Sequence, residues 1–280
     1  MASLAQITTE HVIFGYSNTV QSNTDYALHC HNFYEIYYYM EGDVDYLVEG
    51  IPYKLSPHSL LLLAPNVFHG VRVNSGKPYI RIALHFFPEA LSLERRAMLL
   101  SIFPSASKAD AKEVFYTDNV KEKIFPQMEA LIDCASLSES LKNSLLPVYL
   151  EALLSRILSL SKQNEIHRKS DGSETLQNVI NYLNRHYTDR ITLDLIADKF
   201  CISKHHLNKV FRKATGTTLC DYLTYKRIIY AKQLLMGGHS AEEAAGKSGY
   251  TDYSAFYRAY LKITGNSPVK DRGALPSLIR

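Results

Sequence analysis

The chain of 280 residues has no tryptophan and only four cysteines, Cys30, Cys134, Cys201 and Cys220, none of them spaced as Cys-x-x-Cys. Without that spacing a zinc ribbon is excluded and no disulfide framework is set up, so buried, reduced thiols are expected. No run of about 18 apolar residues occurs, and the first six residues carry neither a basic nor an apolar stretch of signal-peptide type. No membrane partner is therefore expected, and the chain reads as cytoplasmic. Glycine and proline are modest at 13 and 10 residues, while 46% of the chain is apolar. Such a composition argues against disorder and is enough for more than one core, so two domains are expected.

Net charge is also small, +3 overall, but it is unevenly placed: residues 1–172 hold 15 Lys+Arg against 19 Asp+Glu, and residues 173–280 hold 16 against 9. A basic segment joined to an acidic one suits a nucleic-acid reader fused to something else, because only one side has to meet phosphate.

The period of the apolar residues changes along the chain. Residues 11–88 contain short aromatic and β-branched runs at 34–40, 45–48, 60–63 and 79–87, punctuated by Gly42, Gly50, Pro52, Pro57, Pro65, Gly70 and Gly76. Many short strands with turns about every ten residues predict a small β-barrel or sandwich. Helical spacing follows at 93–103, 118–133 and 141–160. The polar stretch 161–173 is the linker candidate, and further helices are predicted at 174–185 and 219–235.

The most informative pattern lies in the last hundred residues. Ser203, Leu207, Phe211 and Gly216 recur 49 positions later as Asp252, Phe256, Tyr260 and Gly265. Each set is a capping residue, two apolar residues on one helix face, and a glycine stop. Each is preceded by a short segment rich in small residues, Ile196-Ala197 and Ala244-Ala245. Two tandem helix-turn-helix units, at about 192–212 and 241–262, are the natural reading, and that motif places a helix in the DNA major groove.

With those residues in view, positions 174–272 resemble the DNA-binding domain of the AraC/XylS family of bacterial transcription regulators. The match runs through Ile191, Ile196, Ala197, Ser203, Leu207, Phe211, Gly216, Tyr222, Arg227, Ala231, Leu235, Gly249, Tyr250, Phe256, Arg258, Tyr260, Gly265 and Pro268. It departs at Ala241 and Ala244, where isoleucines are usual, at Gly246, and at Asp271 in place of an aromatic. Residues 1–165 resemble the cupin-like sensor of the same family through His29, His31, Glu35, Gly42, Pro65, His69 and Gly70. The expected fold is therefore α+β and multidomain: a cupin-like barrel (about 11–88) with helices (about 91–160), a linker at 166–173, and an all-α tandem helix-turn-helix domain at 174–280.

The resemblance implies that His205, Asn208, Lys209 and Arg212 in the first unit, and Tyr253, Ser254, Tyr257 and Arg258 in the second, face double-stranded DNA of a promoter or operator. Lysine and arginine can donate to guanine O6 and N7, and asparagine can pair with adenine. Lys226, Arg227, Lys262 and Lys270 are expected at phosphates, although Arg227 equally suits an internal ion pair. His29, His31, Glu35, Tyr37, His69, Arg81 and His85 are expected to line a pocket for a small-molecule effector, a carbohydrate or related metabolite. Two residues apart, His29 and His31 would share one face of a strand.

Three histidines and a glutamate are also the ligand set of a metal-dependent cupin enzyme. Asn23, and His58 with Ser59, stand where such enzymes carry glycines, so no catalytic residue, metal or cofactor is assigned. The leucine-rich helix at 141–160 either pairs subunits in a homodimer or packs on the barrel. RNA polymerase is a further partner such a regulator would meet.

Overall fold

The computed structural model describes residues 2–273 apart from 21, 23–28, 30, 50, 66, 105–114, 118–119 and 164–173. The linker at 166–173, Asn23, Cys30 and Gly50 lie outside these described residues.

Nine strands and ten α-helices are seen among them. β1 (Ala2–Thr8), β2 (Val12–Thr19), β8 (Tyr79–Phe86), β3 (Tyr34–Glu41), β6 (Ser59–Leu63) and β9 (Phe115–Tyr116) form, in that order, a six-stranded sheet. β5 (Ile51–Lys54), β4 (Val44–Val48) and β7 (His69–Val73) form a three-stranded sheet. All pairings are antiparallel. Among the described residues the two sheets are not closed on each other through paired strands, so the expected barrel is corrected to two facing sheets; an isolated bridge joins His29, ahead of β3, to His69 of β7. β1 and β9 were absent from the expected strands, since β1 is a polar-interrupted edge and β9 has two residues.

Alternation along β3 explains the layering. Ile36 and Tyr38 point to one face, where Tyr38 stacks on Phe125 of α2 (Val120–Cys134). Glu35, Tyr37 and Tyr39 point to the other face, where Tyr37 meets Tyr46 of the small sheet, ring centroids 4.6 Å apart. Gly42 turns the chain after β3 at φ 142°, and a Cβ there would meet the Tyr79 backbone at 3.1 Å.

α1 (Leu93–Leu100), α2 and α3 (Glu139–Lys162) cover the outer face of the large sheet. α3 has the length and mean hydropathy of a membrane span, although Glu151 and Arg156 interrupt its apolar residues and no unbroken apolar run of that length occurs. Leu146, Leu150, Leu153, Leu154, Ile157 and Leu160 of this helix are nevertheless fully buried in the domain core. Cys134 is buried as expected, whereas Cys201 and Cys220 are exposed, a correction to the expectation of buried thiols.

The second half is all helical: α4 (Glu174–His186), α5 (Leu193–Lys199), α6 (Lys204–Thr215), α7 (Leu219–Met236), α8 (Ala241–Lys247), α9 (Tyr253–Thr264) and α10 (Pro268–Asp271). α7 is common to two cores: Leu219, Tyr222 and Leu223 belong to that of α4–α6, and Ile228, Ala231 and Leu235 to that of α8–α10. One rigid helix thereby fixes the relation of the two helix-turn-helix units.

Candidate functional site

Each recognition helix is delimited as its sequence requires. The Ser203 hydroxyl accepts from the His206 N–H at 3.2 Å, and the Asp252 carboxylate accepts from the Ser254 N–H at 2.8 Å. α6 and α9 both end in a left-handed glycine, Gly216 at φ 74° and Gly265 at φ 71°. Leu207 and Phe211, and their counterparts Phe256 and Tyr260, are buried. That orientation leaves His205, Lys209, Arg212, Tyr253, Ser254, Tyr257 and Arg258 exposed on the opposite faces. Asn208 is half-buried, and its Oδ1 finds no hydrogen-bond donor among the described residues.

Two of the four residues expected at phosphates are placed elsewhere. Arg227 donates from Nε to the Tyr187 carbonyl at 2.6 Å and from Nη2 to that of Asp189 at 2.7 Å. Burial lowers its pKa from the usual guanidinium value. Lys226 is 9% exposed and pairs with Glu49 at 2.7 Å. Both are internal struts, while Lys262 and Lys270 stay exposed. Asp271, standing where the family carries an aromatic, is buried and accepts from the Tyr260 hydroxyl at 2.7 Å and from Asn266 Nδ2 at 3.1 Å. That hydrogen-bonded carboxylate closes the end of the second unit.

Between the two sheets, five residues named from the sequence converge. Glu35 is buried, and its Oε2 lies 2.8 Å from His31 Nε2, 3.1 Å from His69 Nε2 and 3.5 Å from His85 Nε2. His29 brings its ring to 4.4 Å from that of His69, centroid to centroid. His29 and His31 precede β3 instead of lying on a regular strand, so the backbone bridge to His69 and a bend, not strand alternation, bring them together. Burial drives the Glu35 carboxyl up, but the charge of His85 and contacts from His31, His69 and His85 outweigh it and hold it well below the usual carboxylate range. Burial lowers the His31 pKa against the opposing pull of Glu35.

Tyr37 and Arg81 occupy the other end of the same interior face. The Tyr37 and Tyr79 hydroxyls touch, and the Arg81 guanidinium lies over the Tyr79 ring at 4.4 Å while donating to Thr19 Oγ1 at 3.1 Å. Burial raises the Tyr37 and Tyr46 hydroxyls well above their usual value and pushes Tyr79 up to about 12. Tyr46 and Tyr79 were missed from sequence; Tyr46 meets Tyr37 from the facing small sheet and Tyr79 reaches it from the start of β8, contacts that no local motif announces. The interior therefore offers an imidazole–carboxylate end and a phenol–guanidinium end.

Residues 12–167 match the family model of the AraC-like ligand binding domain, and residues 196–274 match that of a helix-turn-helix domain. The first match alone spans more than half of the chain. The chain belongs to the AraC family of transcription regulators. It is 31% identical over 91 residues to the lactose operon transcription activator of Staphylococcus xylosus, covering 32% of this chain and 33% of that one. It is 21% identical over 246 residues to the HTH-type transcriptional activator RhaS of Escherichia coli O81 (strain ED1a), covering 87% and 86%. A crystal structure of apo ToxT K231A from Vibrio cholerae aligns over 94% of this chain and 97% of that one, at 13% identity and a TM-score of 0.41. Three of the most similar curated relatives are spanned over 33% to 58% of their length. This AraC-family member thus joins an AraC-like ligand binding domain to a helix-turn-helix domain.

One contact in the AraC-family chain joins the two halves and had no sequence signal. Glu49, in the turn after β4, accepts from the Phe68 N–H at 2.7 Å through Oε1. Through Oε2 it accepts from the Tyr222 hydroxyl at 2.9 Å and Lys226 Nζ at 2.7 Å, both on α7. Phe68 is buried in the core of the first helix-turn-helix unit, against Tyr222 and Tyr225. β5 lies against α6. Beside this contact runs a cleft of about 770 Å³ walled by Tyr34, Phe103, Tyr187, Ile229 and Tyr230.

Proposed function

We propose that this regulator is gated by a small polar metabolite, a sugar or a related hydroxylated compound, held between the sheets by His29, His31, Glu35, Tyr37, His69, Arg81 and His85. The observation that carries the reading is that His69 and Phe68 are consecutive. The ring of His69 is inside the sensor, and the ring of Phe68 is inside the first DNA-reading unit. Neighbouring side chains on extended backbone point to opposite sides, so a ligand that shifts His69 also shifts Phe68. Glu49 ties the same segment to α7, which gives a ligand in the pocket a route to bias the reader.

The choice of a hydroxylated ligand rests on hydrogen-bonding side chains set among aromatic walls. It is in keeping with a relative named as the activator of a lactose operon. On the reader side, His205, Asn208, Lys209 and Arg212 enter one major groove, and Tyr253, Ser254, Tyr257 and Arg258 the next, about one helical turn or 34–36 Å away. The corresponding site is bipartite and roughly 16–20 bp long.

In this reading residues 1–165 form the sensor and 174–280 the reader. The exposed Leu141 and Val148, seven residues apart on one side of α3, offer a surface for a homodimer, and RNA polymerase is met only on DNA. The chain regulates and does not turn over a substrate.

A thermal-shift screen of sugars against the full chain, followed by DNA titration, tests the gating. A ligand that binds should change DNA affinity by about 1–3 kcal/mol, and DNA should change affinity for the ligand by the same factor. A sugar that binds without altering DNA affinity would overturn the coupling. Failure of every sugar to bind would overturn the ligand class.

A further inference from the structure

The two recognition helices present unlike surfaces. α6 exposes His205, Lys209 and Arg212 and, among the described residues, no large apolar side chain. α9 exposes three: Tyr253 at 41%, Tyr257 at 39% and Leu261 at 44%. Spaced at i, i+4 and i+8, they form one strip that winds slowly along the helix. Leu261 stands seven positions beyond Ser254 and three beyond Arg258, so it shares their side of α9, turned away from buried Phe256 and Tyr260. It was missed among the DNA-facing residues named from sequence, where a leucine in an amphipathic helix reads as core.

The strip is braced from beneath. The Tyr253 ring leans on Phe256 with centroids 5.8 Å apart and lies 6.5 Å from that of Tyr257. Phe256 in turn packs on Tyr250 and Tyr260. A side chain already held in this way has little freedom left to lose when a partner covers it.

Charge and groove chemistry narrow the partner. From Tyr253 to Thr264 the helix carries no acidic residue, and Arg258 and Lys262 flank the strip. A polyanion with an apolar feature therefore fits best. In the major groove the base edges offer hydrogen-bond donors and acceptors, and the apolar group among them is the C5-methyl of thymine. Four residues of helix rise about 6 Å, close to two base-pair steps of about 3.4 Å each. Successive members of the strip thus match methyl groups two steps apart.

We propose that Tyr253, Tyr257 and Leu261 read thymine methyls, so that the half-site of the second unit is thymine-rich and Leu261 helps to set its specificity. The inference rests on the reading of α9 as a helix that enters the groove, and adds which bases it selects. The first unit, with its cations and Asn208, selects through hydrogen bonds instead.

Full-length protein, used to select a site from a random-sequence duplex library, supplies the probe. The half-site whose specificity Arg258→Ala relaxes is the one read by α9. The selected duplex is then resynthesised with deoxyuridine for thymidine in one half-site at a time, which removes the methyl and keeps the O4 acceptor. Each methyl lost from the α9 half-site should weaken binding about fourfold, and each one lost from the other half-site by less than about twofold. Leu261→Ala should lose about fourfold or more on the thymine duplex and become indifferent to one of the uracils, so that the two losses do not add. Its affinity for a scrambled duplex should stay at the wild-type value, which a folding defect would not allow.

If uracil has no effect in the α9 half-site while Arg258→Ala still relaxes it, methyl reading is overturned and groove entry stands. Selection of a single half-site overturns both. Unchanged DNA affinity in Leu261→Ala, with loss of self-association or of RNA polymerase recruitment, would make the strip a protein-docking face and overturn the proposal.

Discussion

The first helix-turn-helix unit closes its core with Phe68 from the sensor, alongside Leu207, Phe211 and Tyr222. The second closes its core around Phe256 and Tyr260 with residues drawn wholly from 228–263. The first is also gripped through α7 by Glu49 and has β5 lying against its recognition helix. The second instead has its own fastenings: a capping box between Ser240 and Glu243, and Asp271 bound to Tyr260. Gly249 sits so close to Thr188 that a Cβ would come within 2.5 Å of the carbonyl oxygen, which locks the second unit onto the end of α4. Two copies of one device therefore have different dependencies, and under the proposed gating the first is the adjustable reader and the second the constant one.

The largest test of that contrast is Phe68→Ala. Loss of a buried phenyl ring should cost about 3–5 kcal/mol, and hydrogen exchange should quicken in α6 and the first half of α7 while α9 keeps its protection. Equal loosening of α9 would erase the contrast. Glu49→Gln comes next: it removes the charge facing buried Lys226, and docking of sensor on reader should weaken by about 2 kcal/mol, or roughly thirtyfold. DNA binding by this variant, followed by fluorescence anisotropy, should lose its dependence on effector. Retained dependence would show that coupling runs elsewhere.

Lys209→Ala and Arg258→Ala compare the readers directly. Each should cost about 1–3 kcal/mol on the cognate duplex and relax specificity in its own half-site only, with the double variant nearly additive. Equal losses on cognate and scrambled duplexes would reduce both to phosphate contacts. Only the contribution of Lys209 should vary with effector.

Smallest is Ser240→Ala, about 1 kcal/mol of stability confined to the second unit. Hydrogen bonds from the Ser240 N–H and hydroxyl hold the Glu243 carboxyl below its usual value. That contribution is present above the unfolded carboxyl value and lost as pH falls through the lower folded one. The stability difference between wild type and Ser240→Ala should therefore be present at neutral pH and shrink as pH falls through the carboxyl range, followed by helicity; a difference that grew in acid would break the assignment.

Legibility from the sequence followed locality. Caps, glycine stops and the apolar spacing of α6, α7 and α9 depend on residues within one or two turns, and the tandem units were readable from them. His29, His31, Glu35 and His69 were recognisable as a group through spacing and resemblance. Their approach to His85 is made by the pairing of Glu35 with His85 across β3 and β8, a register that sequence alone does not supply. Lys226 looked like a surface cation because a long helix offers many polar positions, and its partner is 177 residues away. Phe68 went unremarked in the sequence, since nothing near it tells which core it enters.

Glu49 has a backbone φ of 49°, left-handed territory where a non-glycine residue carries a strain of order 1 kcal/mol. A designer optimising the isolated sensor would install glycine or asparagine there, and the thermometer would reward the choice. The same choice would sever the three bonds that bind Phe68, Tyr222 and Lys226 to one carboxylate. Under the proposed gating, heat resistance of the sensor and response of the whole chain to its effector are therefore opposed at a single position, and variants selected only for expression or melting temperature will drift toward unresponsive proteins.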